Sequence, residues 1–134
     1  MNESKSIMSR KLFGLFINEK RQIFQKSLRK FAQEIKISPE YLSKIENGER
    51  SAPSKDILVR IAEKLKLNDN EMEIFYDLAA QTKSECFIAV DLAEYINSHP
   101  VIYRTLRLSK RANVSDEAWN EFERRINKTI KKEI

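Results

Sequence analysis

Apolar side chains recur at steps of three and four along most of this chain, and short polar breaks separate one run from the next. Phe13, Phe16 and Ile17 predict a first helix from about Leu12 to about Phe24, ending on the basic pair Lys20-Arg21. Ser27 stands at an N-cap, and Leu28, Phe31, Ala32 and Ile35 follow at helical spacing. Ser38-Pro39 restarts a helix, because serine caps and proline suits the first helical position. Leu42 and Ile45 then face inward, and Gly48 closes the segment as a C-cap glycine. Ser54 opens a fourth helix with Ile57, Leu58, Ile61, Ala62, Leu65 and Leu67 on one stripe. Asn68 with Glu71 reads as a capping box for a fifth, running to about Ala80 and burying Met72, Phe75, Leu78 and Ala79.

The pattern weakens after residue 80. Residues 81–85 are polar and mark a boundary, and Cys86 to Val90 is an apolar run that fits a helix or an extended packed linker. Asp91 with Glu94 reads as an N-cap pairing ahead of Leu92, Tyr95 and Ile96. Pro100 opens a helix through Ile102, Leu106 and Ala112, and Ser115-Asp116-Glu117 opens the last one. There Trp119, Phe122, Ile126 and Ile130 form a stripe, expected to be intramolecular core rather than interface. The expected organisation is all-α: a flexible arm at 1–10, a five-helix domain at 11–80, and a C-terminal helical region at 81–134 for packing or dimerisation.

Composition narrows the function classes. Of 134 residues, only two are glycine and three proline, and 34% are charged, which suits a helical, water-soluble fold. No apolar run is long enough to cross a bilayer, and the N-terminus lacks the apolar block of a signal peptide, so a cytoplasmic location and no membrane partner are expected. One cysteine and one histidine build neither an internal disulfide nor a structural zinc site, and Cys86 reads as a packed thiol. No nucleophile elbow, phosphate-binding glycine loop or cluster of His, Cys and carboxylate is visible, so no enzyme activity and no cofactor are expected. The net charge of +5 is unevenly spread: residues 1–66 carry +7 and residues 67–134 carry −2. The stretch 69–94 holds seven acids and one lysine. Basic charge concentrated on one module points to a polyanionic partner, because displaced counterions drive binding to phosphates.

The basic half also holds the most specific pattern. Arg21, Ala32, Ile37, Ser38, Leu42, Ser43, Ile45, Glu46, Asn47, Gly48, Arg50 and Pro53, and above all Leu42-Ser43-Lys44-Ile45-Glu46-Asn47-Gly48, resemble the helix-turn-helix of the lambda-repressor/Cro-like (XRE) family. The resemblance covers roughly residues 13–67. It implies a lambda-repressor-like five-helix fold whose third helix enters the major groove of duplex DNA. Carried over position by position, it puts Pro39, Glu40, Ser43 and Lys44 against base edges, with Tyr41 at the rim. Arg29, Lys30, Lys36, Asn47 and Arg50 fall beside phosphates. Lys44 is suited to guanine O6/N7 and Glu40 to cytosine N4. The same resemblance pairs Arg21 with Glu46 in a largely buried ion pair. Two departures stand out. Gln25-Lys26 replaces the usual Gly-Leu before the capping serine, and Lys36 replaces the usual turn glycine. A left-handed Lys36 costs on the order of 1 kcal/mol.

The expected function is a sequence-specific transcriptional regulator, a repressor bound as a homodimer across an inverted repeat. The competing expectation is an antitoxin-like protein whose C-terminal half engages a protein partner and whose DNA binding serves autoregulation.

Overall fold

A computed structural model describes residues 2–83 and 88–133. Among the described residues the elements are helices, with no strand, in the order α1 (Asn2–Ile23), α2 (Leu28–Glu34), α3 (Pro39–Glu46), α4 (Lys55–Lys64), α5 (Asp69–Gln81), α6 (Val90–Asn97), α7 (Pro100–Ala112) and α8 (Asp116–Glu133). The fold is therefore all-α, with five helices in the order expected. Contacts divide the chain into Met1–Ala93 and Glu94–Ile134.

The first unit closes on a single core built from the predicted stripes. Phe13 and Ile17 of α1, Phe31, Ala32 and Ile35 near α2, Leu42 and Ile45 of α3, Leu58 and Ile61 of α4, and Phe75 of α5 are all buried. The rings of Phe13 and Phe75 stack with centroids 5.5 Å apart, joining α1 to α5. Leu28, Phe16, Ile57 and Leu78 are only partly buried at its margin. Met72 departs from expectation and lies exposed, while Tyr76 is buried in its stead. Met72 shares the helical face of Phe75, Tyr76 and Ala79 but belongs to the first turn of α5, at the end of that stripe, and is left exposed there.

The capping chemistry follows the sequence closely. Ser27 accepts from the Lys30 amide and Ser38 from the Tyr41 amide, each at 3.1 Å. Asn68 and Glu71 complete their reciprocal box. Ser54 holds the N-cap position of α4 but makes no side-chain cap bond. Asp91 falls inside the first turn of α6 rather than before it, because the Leu92 and Ala93 amides close on the Ala89 carbonyl.

Three regions differ from the sequence reading. Residues 2–10, expected as a flexible arm, are helical and run on into α1. Ser6 and Ser9 are buried, the Ser6 hydroxyl donates to the Thr82 carbonyl at 3.1 Å, and Arg10 Nε donates to the Gly48 carbonyl at 3.1 Å. Such side-chain-to-backbone bonds need no apolar stripe, so a polar sequence gives no hint of them. Second, the break expected at residue 81 falls at Ala93/Glu94, since Ala89 is buried in the first unit's core and Val90 packs against it. Cys86 and the polar stretch before it fall partly outside the described residues, and so does the reading of that thiol. Third, the α8 stripe is not core. Trp119, Phe122, Ile126 and Ile130 are all exposed.

Candidate DNA interface

The face of α3 left over after folding is polar and convergent. Leu42 and Ile45 point into the core, and Glu46 points toward α1. The 3.6-residue period then puts Glu40, Ser43, Lys44 and Asn47 together on the opposite side. Glu40, Lys44 and Asn47 are exposed, Ser43 is half-buried, and Asn47 Nδ2 reaches Ser43 Oγ at 3.4 Å. Pro39, at the first helical position, borders this face and is half-buried. Tyr41 lies on the other border, partly packed against the core. Glu40 in the first turn and Lys44 in the last complement the helix dipole.

Exposed cations lie on the segments that flank α3 in the chain. Arg29 and Lys30 open α2, Lys36 forms the turn, and Arg50 follows α3, all four exposed. The turn itself is a left-handed closure: Lys36 has φ 61°, its amide bonds to Gln33, and the Ile37 amide reaches back to Ala32 at 3.0 Å. This is a Schellman arrangement, in which the left-handed residue lets two late amides satisfy carbonyls at the helix end. Gln25 and Lys66 do the same after α1 and α4, with φ of 54° and 51°. The conformation expected of glycine is thus kept at both departures from the family pattern, with a side chain bearing the cost.

The angle at which α3 is presented is set from α1. Arg21 grips Glu46 with two prongs, Nε to Oε2 at 2.8 Å and Nη2 to Oε1 at 2.9 Å, and both side chains are nearly sealed from water. The hydrogen bonds to Glu46 raise the guanidinium's pKa further above its ordinary value; burial opposes them and the facing negative charge adds to them. The pair expected from the family resemblance is therefore present. Its surroundings were not legible. Asn18 Nδ2 also donates to Glu46 Oε1 at 2.8 Å, and Arg21 Nη1 donates to the Lys26 carbonyl at 2.9 Å, tying in the α1–α2 loop. Arg60 of α4 donates to the Ile35 carbonyl at 2.8 Å and so anchors the turn from behind.

The loop after α3 is pinned as firmly. Gly48 has φ 79°, and a Cβ there would stand 2.7 Å from the Lys11 side chain. The Ala52 amide donates to Thr82 Oγ1 at 2.8 Å, and Lys83 Nζ donates to the Ala52 carbonyl at 3.0 Å. Asn18, Arg60, Thr82 and Lys83 act across elements far apart in sequence, and no local pattern signals them.

Residues 17–71 match the family model described as helix-turn-helix. This segment is a helix-turn-helix domain. The match spans α2, the Lys36 turn, α3 and α4 together with the end of α1 and the start of α5. Among solved structures, the crystal structure of the clp gene regulator ClgR from Corynebacterium glutamicum is similar at 26% identity, covering 69% of this chain and 95% of that one, with a TM-score of 0.45. No curated protein matches. Among the described residues no group of three His, Cys, Asp or Glu is placed to hold a metal ion, and no helix is long and apolar enough to cross a membrane.

Proposed function

We propose that this protein is a sequence-specific DNA-binding transcriptional regulator that acts as a repressor on an inverted-repeat operator, bound as a homodimer. The observation that carries the reading is the outward face of α3 in the helix-turn-helix domain: Glu40, Ser43, Lys44 and Asn47 lie side by side, with exposed Arg29, Lys30, Lys36 and Arg50 on the flanking segments. In the major groove, Lys44 donates to guanine O6/N7 and Glu40 accepts from cytosine N4. Pro39 offers apolar contact to a thymine methyl, Ser43 hydrogen-bonds a base edge, and Tyr41 lines the rim. Arg29, Lys30, Lys36, Asn47 and Arg50 hold phosphates and set the register. Two copies place their α3 helices in successive major grooves, roughly 34 Å apart. Repression follows from competition with polymerase for the same duplex.

The test is a gel-shift series on fragments of the region upstream of the protein's own reading frame, against scrambled duplex of equal length. Lys44→Ala weakens the specific complex by about 1–3 kcal/mol and relaxes base preference at one position per half-site. Lys36→Ala or Arg50→Ala weakens specific and scrambled complexes alike and lowers the salt slope. Equal affinity of the wild type for specific and scrambled DNA overturns sequence-specific regulation.

A further inference from the structure

The second unit cannot stand on its own burial. Among its described residues none is buried, although α7 and α8 are strongly amphipathic. On α8, Trp119, Phe122, Ile126 and Ile130 follow one another at 3-4-4 spacing on one side, and each is at least 38% exposed. Trp119 and Phe122 touch only edge to face, at 6.3 Å. About forty residues with no enclosed core fall below what an isolated domain needs, and a row of large side chains at this spacing is the seam of a helix pair.

The charges of α8 say which helix completes it. From Asp116 to Glu123 the helix holds four acids and no base; from Arg124 to Lys132 it holds five bases and no acid. A second copy laid antiparallel sets each acidic end beside a basic end, and opposes the two helix dipoles. A parallel copy sets like against like. The apolar row has the same symmetry. Antiparallel about a point near Arg124, Phe122 of one copy meets Ile126 of the other, and Trp119 meets Ile130, each contact occurring twice. A self-complementary patch of this kind is what a two-fold dimer requires.

We propose that α8 is the dimerisation helix and that it pairs antiparallel with α8 of a second copy through Trp119, Phe122, Ile126 and Ile130. The proposal rests on the homodimer in the reading above and names its seam. The charged residues set direction and the apolar row supplies affinity.

Sedimentation equilibrium of the full chain is the first measurement. The wild type runs as a dimer, and Phe122→Asp/Ile126→Asp runs as a monomer with the helix-turn-helix domain still folded by circular dichroism. The second is disulfide trapping in a Cys86→Ser background. A mixture of Trp119→Cys and Ile130→Cys chains gives the mixed cross-link, whereas Trp119→Cys alone gives little. The two positions lie about 16 Å apart along one helix, so a Trp119→Cys chain cannot reach its own counterpart in an antiparallel pair. A monomeric wild type, a dimer untouched by the double aspartate, or ready cross-linking of Trp119→Cys to itself each overturns the proposal. Loss of specific DNA binding with the trapped dimer intact would instead remove the operator reading and leave the seam standing.

Discussion

Gly14 of α1 lies directly beneath Glu46 at the end of α3: a Cβ on Gly14 would stand 2.4 Å from the carbonyl oxygen of Glu46, and equally close to that of Ile45. Both obstacles are backbone, so neither can swing away. Gly14→Ala is therefore expected to destabilise the first unit by about 1–3 kcal/mol despite alanine's better helix propensity. Because the shift falls on α3, affinity for specific DNA drops as well. Denaturant titration and a gel shift on the same preparation check the two effects; an unchanged midpoint would show that α1 and α3 can separate without cost.

The Arg21–Glu46 pair adds a polar lock on the same side of α3. Arg21→Ala leaves a carboxylate sealed with only Asn18 for company and is expected to cost about 3–5 kcal/mol. Arg21→Lys keeps the charge but not the two-pronged geometry, so it falls between the alanine variant and the wild type. Neither variant changes which base is preferred. The midpoint of thermal unfolding, with base preference measured at a temperature where the variant is folded, separates the two roles.

Lys36 offers the opposite experiment. Its left-handed backbone is one glycine adopts freely, so Lys36→Gly is expected to stabilise the protein by up to about 1 kcal/mol. On the proposed function it should also bind DNA more weakly, having lost a cation assigned there to the phosphates. Gln25→Gly and Lys66→Gly should show the stabilisation alone. A fall in the unfolding midpoint for all three variants would contradict the strain argument.

Acid sensitivity has one traceable source at Glu71. Its side chain accepts from Lys20 and from the Asn68 amide, and these bonds hold its carboxyl below its ordinary value against the opposing effect of burial. A carboxyl with a depressed folded-state pKa stabilises the fold above its unfolded value, near 4.5, and that contribution is lost as pH falls through the folded value. Glu71→Gln should therefore lower the unfolding midpoint at pH 7 and have progressively less effect below pH 4.5. An equal effect of the substitution at pH 7 and at pH 3 would assign the contribution to something other than ionisation.

Much of the first unit could be read from the order of side chains alone. The stripes from Phe13 to Ala79 recur at helical spacing, Ser27, Ser38 and Asn68 cap as their chemistry demands, and the Arg21–Glu46 pair came with the family pattern. These are local signals, or signals that travel with a motif. The α3 face was legible for the same reason: once Leu42 and Ile45 are committed to the core, the helical period leaves Glu40, Ser43, Lys44 and Asn47 outside.

What tertiary structure decided lies between segments that no spacing rule connects. Residues 2–10 became helix through Ser6 and Arg10 bonding to the carbonyls of Thr82 and Gly48. Met72 and Tyr76 share one face of α5, yet only Tyr76 is buried, because the end of the stripe in the first turn is left uncovered, which periodicity does not show. The α8 stripe, indistinguishable in sequence from a core helix, is exposed, and no described residue of its own unit is buried. Amphipathicity determines that a face must be covered; only the arrangement of the other helices determines whether the same chain can cover it.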